Sequence, residues 1–175
     1  MTLPPGIHRL EIYRVMGMKA PPLGLAYIAA VLEKFGHKVK IIDTPTLEID
    51  SCEWINEVKS WKPDIVGISI LTPTASKGYT AAKLVKEELG EDTIVIAGGP
   101  HTTYMYAEAL NNNVDVVVRG EGEYTTLELV NALEKHGLNK GVLTKIKGIA
   151  FKDDNGEVIV TSSRPFIEDL DELPW

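Results

Sequence analysis

The sequence predicts an open α/β domain on a five-stranded parallel sheet with a C-terminal β-hairpin, and three observations carry that expectation. Short β-branched runs alternate with longer amphipathic segments, the pattern of successive βαβ units. The run Ile65 to Ile70 carries no charge and stays largely apolar, as a strand covered on both faces should. Late in the chain, Asp153-Asp154-Asn155-Gly156 separates two short β runs, a strong signal for an antiparallel hairpin.

The first run is Ile7 to Val15. A helix follows in which Leu25, Ile28, Ala29 and Leu32 share one face, and Gly36 stops it. Val39 to Asp43 reads as the second strand. Ser51 can cap the next helix, whose Trp54, Ile55, Val58 and Trp61 are expected to point inward, before Pro63 ends it. Ile65 to Ile70 is the third strand, and a helix runs from about Ala75 to Leu89. The strand Thr93 to Ala97, a helix near Thr102 to Leu110, the strand Val114 to Val118 and a helix near Tyr124 to His136 complete the pattern. Gly137 sits where a helix C-cap is expected.

The hairpin then pairs Gly148 to Phe151 with Val158 to Thr161 and should extend or cap one sheet edge. Phe166 to Trp175 is acidic and without period, so it reads as a linker. Residues 1–145 are thus expected to form the main domain, 146–163 its hairpin extension and 164–175 the linker.

Several function classes are disfavoured by composition. The formal net charge of −7 and the lack of a Lys/Arg cluster argue against a nucleic-acid partner. No apolar run approaches the ~20 residues of a membrane span, and the amino terminus lacks the look of a secretory signal, so a cytoplasmic address is the expectation. One cysteine, Cys52, cannot supply an iron–sulfur or structural zinc site by itself and reads as a semi-buried helix residue. No Gly-x-Gly-x-x-Gly follows the first strand and no Gly-Lys-Ser/Thr occurs, which disfavours dinucleotide binding and nucleotide hydrolysis.

In an open doubly wound sheet, ligands bind beyond the carboxyl ends of the strands. Four loops rich in small residues fall there: Lys19 to Gly24, Ser69 to Thr74, Gly98 to Thr102 and Arg119 to Glu123. Paired Gly98-Gly99 suits a bulky planar or phosphate-bearing ligand, because a missing Cβ lets backbone approach it closely. Short glycine turns are also ordinary βα connections, so each loop alone supports a purely structural reading as well. His101, Glu121 and Glu123 could in principle act as acid–base groups or ligands, but His101 and Glu123 each stand where they could serve the start of a helix. His8, His37 and His136 show no metal-binding spacing.

PPLGLAYIAAVLEKFGHKVKIID (Pro21 to Asp43), PDIVGISILTPT (Pro63 to Thr74), IVIAGGPHTT (Ile94 to Thr103), DVVVRGEGEYT (Asp115 to Thr125) and DLDELPW (Asp169 to Trp175) together resemble the cobalamin-binding domain found ahead of radical SAM domains. The resemblance covers nearly the whole chain. It implies a three-layer, Rossmann-like (flavodoxin-like) fold. The wider fold carries an Asp-x-His-x-x-Gly loop, a Ser-x-Leu and a Gly-Gly. The last two match as Ser69-Ile70-Leu71 and Gly98-Gly99, which by resemblance line the slot for the cofactor's nucleotide tail. The first departs: Lys19 and Pro21 stand at the aspartate and histidine positions, and Gly24 alone is kept. Proline has no side-chain nitrogen to ligate cobalt, so a histidine ligand from that loop is excluded and base-off binding is what this branch of the family implies.

The resemblance implies cobalamin as the cofactor of this domain, contacted by Leu23, Gly24, Ser69, Leu71, Thr72, Gly98, Gly99, Pro100, Gly120 and Glu121. It further implies a [4Fe–4S] cluster and S-adenosylmethionine in a radical SAM domain that this sequence lacks, and methyl transfer or related radical chemistry. The chain alone is expected to have no catalytic residue, and Gly99→Trp to block the tail slot without unfolding the sheet. Two other readings compete: a structural domain that kept the fold and lost the cofactor, supported by Pro21, and a flavodoxin-like binder of another phosphorylated ligand, by fold analogy.

Overall fold

The computed structural model describes residues 22–174. The first predicted strand, Ile7 to Val15, lies outside them. Helix α1 (Leu23–Lys34) opens the described chain after Pro22 and gives way to Gly36 at φ +93°, a conformation that glycine adopts without strain. Its most buried residues are Ala29, Val31 and Leu32, so the inward face is rotated toward Val31 relative to the predicted stripe.

Val39 to Asp43 forms no helix and joins no ladder among the described residues. A strand exists only by virtue of its partner. In a flavodoxin-like strand order the neighbour of this run is the first strand, which lies outside the described residues. A short helix α2 (Thr44–Leu47) follows.

Helix α3 (Ser51–Trp61) is capped by Asp50 rather than by the predicted Ser51. The Asp50 carboxylate accepts from the amides of Cys52 (2.8 Å) and Glu53 (2.9 Å), and Glu53 accepts in return from the Asp50 amide (2.9 Å), a reciprocal capping box. Ile55 and Val58 are buried and Trp54 packs at their margin, whereas Trp61 is exposed beneath the ammonium of Lys40, and Cys52 is exposed. The helix amides hold the Asp50 carboxyl below its ordinary pKa. A depressed carboxylate adds stability above the unfolded-state pKa and loses it as pH falls through the folded-state value. The Asp50→Ala variant is therefore expected to melt lower than wild type at neutral pH, with the two converging in strong acid when melting temperature is followed against pH.

The sheet is built from β1 (Ile65–Ser69), β2 (Ile94–Gly98), β3 (Val116–Val118), β4 (Ile149–Lys152) and β5 (Val158–Val160), in that spatial order. Three strands, β1 to β3, run parallel and the hairpin β4–β5 is added antiparallel to β3. The described sheet is thus mixed: three of the predicted parallel strands and the hairpin make up its five members. Connecting them are a 3-10 turn (Thr72–Thr74), α4 (Ala75–Leu89), α5 (Pro100–Tyr104), α6 (Tyr106–Leu110), α7 (Glu123–His136) and α8 (Lys140–Leu143). The predicted helix 102–110 is two short pieces, broken at Met105.

Alternation along the strands sends side chains to two faces. Val66, Val95, Ala97 and Val117 meet Ile55, Val58, Ala82, Val85 and Leu110 from α3, α4 and α6. Ile96, Val116, Val118, Ile149 and Phe151 meet Leu129, Leu133 and Leu143 from α7 and α8. The result is three layers around two cores, with α1 seated on α7 through Val31, Leu32 and Leu127. Leu173 is buried in that same contact, so the stretch read as a linker is docked at its far end. Among the described residues, no helix is long and apolar enough to cross a membrane.

Candidate functional site

The carboxyl ends of β1, β2 and β3 are drawn into one rim by hydrogen bonds between their loops. The Ile70 amide donates to Gly98 O (2.8 Å) and the His101 amide to Ile70 O (3.3 Å). Thr103 Oγ1 donates to Gly99 O (3.0 Å) while accepting from the Gly120 amide (3.1 Å). Three of the four predicted loops therefore converge. Of the fourth, Pro22, Leu23 and Gly24 are described; Leu23 and Gly24 start α1 and are exposed. That helix meets the rim where Gly122 faces Ile28: a Cβ at Gly122 would stand 2.8 Å from Ile28 Cδ1.

Among the described residues, the rim has an opening on the α7 side of the sheet. Gly67 and Ser69 point to that face and are exposed, and Ser69 is the register partner of Gly98. A Cβ at Gly67 would meet nothing within 4 Å, and one at Gly98 only Val118, at 3.8 Å or more. Three adjacent positions thus offer one small hydroxyl and no other side chain, leaving a notch in a face that is otherwise packed by Ile96 and Val118. The sequence reading missed Gly67, although a lone glycine within a β-branched run is the signal for close approach of a ligand or another backbone.

Gly99 differs from its neighbour. It sits at φ +104°, ψ 174°, and a Cβ there would lie 2.8 Å from Ile70 O. Its role in the rim is to let β2 turn against the end of β1, so the expectation that Gly99→Trp leaves the sheet intact is corrected: strain and backbone clash accompany any side chain at this position. Pro100 opens α5, and Gly120 turns at φ +75° with open space around it. Leu71 is 50% exposed, leaving an apolar surface at the rim, and Thr72 is exposed beside it.

Glu121 is partly committed elsewhere, because its Oε2 accepts from the Ile167 amide at 2.7 Å. The neighbouring Arg164 donates to Thr125 Oγ1 (2.8 Å) and pairs with Glu128, so the segment after the hairpin is strapped across the start of α7. Glu123 is the first residue of α7, and its Oε2 is buried with no hydrogen-bond partner among the described residues. His101 does not cap its helix. It is buried, with Nδ1 3.3 Å from Thr72 Oγ1 and Nε2 3.1 Å from Tyr79 Oη. His37 bonds Asn131 (3.1 Å) and His136 ends α7. Among the described residues no group of three or more His, Cys, Asp and Glu is placed to hold a metal ion.

A three-layer domain with a notch at the carboxyl ends of its three parallel strands defines a ligand-holding α/β fold. A profile of the B12 binding domain family matches residues 12–130, well over half of the chain. The chain belongs to that family, and its cofactor is cobalamin.

Similar proteins agree. The chain is 40% identical over 176 residues to an uncharacterized methyltransferase of Pyrococcus horikoshii, covering 99% of this chain and 36% of the relative. It is 34% identical over 156 residues to the anaerobic magnesium-protoporphyrin IX monomethyl ester cyclase of Rubrivivax gelatinosus, covering 87% and 28% respectively. The chain thus spans about a third of the length of these curated relatives. The structure of the cobalamin-dependent S-adenosylmethionine radical enzyme OxsB with aqua-cobalamin bound superposes with a TM-score of 0.75 at 20% identity, over 89% of this chain and 21% of that one; the two share a fold. The described residues fit the cofactor on their own evidence, because the Gly67, Ser69 and Gly98 notch is the space that side chains would otherwise occupy.

Proposed function

We propose that this chain is the cobalamin-carrying part of a radical SAM enzyme and binds the cofactor base-off, with no histidine from the loop 19–24 reaching cobalt. The observation that carries the reading is the Cβ-free notch at Gly67 and Gly98 beside Ser69, on the rim where the loops after β1, β2 and β3 meet. In this reading the notch takes the nucleotide tail, and Ser69 offers it a hydroxyl. Leu23, Gly24, Leu71, Thr72, Gly99, Pro100, Gly120 and Glu121 form the rest of the contact set, with Leu71 supplying apolar surface and Thr72 a hydroxyl at the rim. Pro21 supports histidine-free binding, since it stands where a ligating histidine is expected and has no donor nitrogen.

Cobalamin, when bound, supplies a cobalt centre able to carry a methyl group or an electron. The chain's own contribution is to hold and orient the corrin and to leave its upper face clear. Residues 164–175 lead in this reading toward a radical SAM domain carrying a [4Fe–4S] cluster and S-adenosylmethionine, and the whole enzyme performs methyl transfer or related radical chemistry. The length of the relatives and the methyltransferase name of the Pyrococcus protein support this.

Mixing the purified chain with hydroxocobalamin, removing free ligand and recording the visible spectrum tests the proposal. Corrin bands are expected to co-elute with the protein in about equimolar amount, with the base-off spectrum. A protein fraction without corrin absorbance sinks the reading, and a base-on spectrum removes its coordination half.

A further inference from the structure

Behind the rim lies a chain of hydrogen bonds that the proposed cofactor site does not by itself require. Thr72 Oγ1, His101 Nδ1 and Nε2, and Tyr79 Oη follow one another at 3.3 and 3.1 Å, and the carboxylate of Glu108 stands at the far end, near His101 Nε2. His101 and Tyr79 are buried, both 9% exposed, while Glu108 lies at an open groove of about 350 Å³ between α4 and α6. The outer end of the chain is therefore at solvent and the inner end at the rim.

The chemistry of the members fixes its direction. Burial, reinforced by the nearby charge of Glu108, holds the Tyr79 phenol above its ordinary pKa and keeps it protonated. Tyr79 Oη, 3.1 Å from Nε2, accepts when that nitrogen carries the proton. Glu108 Oε1 also stands 4.0 Å from Nε2 and favours a proton on that nitrogen. A neutral imidazole has one N–H, so Nδ1 is left bare and takes the hydroxyl proton of Thr72. Thr72 then turns lone pairs, and no proton, toward the rim.

Building on the cobalamin reading, we infer that the Thr72–His101–Tyr79–Glu108 chain makes Thr72 a committed hydrogen-bond acceptor at the rim, selecting corrinoids that present a carboxamide N–H there over those that present a carboxylate. A carboxylate oxygen opposite Thr72 meets another acceptor with no shared proton, whereas an amide meets its complement. A mismatch of this kind, one lost hydrogen bond, corresponds to about a tenfold difference in affinity.

Two measurements test this. The first needs no cofactor: in ¹⁵N-histidine-labelled protein, with His101→Gln identifying the signal, His101 is expected as the Nε2–H tautomer with an unprotonated Nδ1. An Nδ1–H tautomer overturns the inference whether or not a corrinoid binds. The second compares binding of cobalamin with that of the cobalamin monocarboxylic acids, each with one peripheral amide hydrolysed. Wild type is expected to discriminate about tenfold against one of these acids, and the isosteric Thr72→Val to bind it and cobalamin nearly equally. Equal binding of all probes by wild type, or undiminished discrimination by Thr72→Val, overturns the selectivity. If no corrinoid binds at all, the function proposed above fails and the selectivity falls with it.

Discussion

Cobalamin affinity is expected to fall by at least about a hundredfold in Gly98→Phe while the protein keeps its fold; Gly99→Ala, one residue away, is expected to lose about 2–4 kcal/mol of stability. The contrast comes from the surroundings of the two glycines. At Gly98 a Cβ meets only Val118, at ordinary contact distance, so a ring there projects into the notch opposite Ser69 and denies it to the ligand. At Gly99 the backbone lies at φ +104°, and an added methyl stands 2.8 Å from Ile70 O. Ile70 O is also the acceptor for the His101 amide, so it cannot move away without loosening the rim. Titration of both variants with hydroxocobalamin, alongside urea denaturation, measures the two quantities separately. Full affinity in Gly98→Phe would show that the notch is not where the cofactor goes.

The second large effect lies at the opposite end of the strands. Lys86 is 8% exposed, and its ammonium stands 2.7 Å from Asp115 Oδ2 while donating to the carbonyls of Thr93 (2.9 Å) and Glu91 (3.2 Å). The same Asp115 oxygen accepts from the Val95 amide at 2.7 Å. This knot ties α4 to the beginnings of β2 and β3. Lys86→Met fills a similar volume but leaves the Asp115 charge and two carbonyls without their donor. The expected loss is about 3 kcal/mol, the low end for breaking a buried pair, because the Asp115 side chain keeps 22% exposure. Adding Asp115→Asn should restore part of the loss, since the unpaired charge is gone and the amide oxygen can still accept from Val95. Urea denaturation of both variants decides it: a loss below about 1 kcal/mol in Lys86→Met would mean that solvent already screens the pair. Corrinoid affinity of the folded fraction should stay unchanged, because the knot is a strand length away from the rim.

The elements that could be read from sequence are those whose signals are local. The apolar runs of β1, β2 and β3, the helix Ala75–Leu89 and the Asp-Asn-Gly hairpin turn each carry their pattern within a few residues. Errors cluster where a neighbour distant in the chain decides the outcome. The cap of α3 is the exception, a local signal: Asp50 takes it from Ser51 because Glu53, three residues on, completes a capping box with it. Trp61, apolar and in phase with Ile55 and Val58, is exposed because it lies at the last turn of its helix, where Lys40 packs on it instead of the core.

The candidate site divides in the same way. Sequence alone determined that glycine and small polar residues follow the strands and that position 21 is a proline, with no side-chain nitrogen, because composition and spacing are properties of the chain itself. Only the tertiary structure decided which glycine is open and which is wedged, that Glu121 holds the amide of Ile167 46 residues away, that Leu173 is buried between α1 and α7, and that His101 bridges Thr72 to Tyr79. Those outcomes depend on which backbones approach within a van der Waals radius of one another once the layers close. Such distances are set by packing between elements and leave no periodicity in the sequence to read.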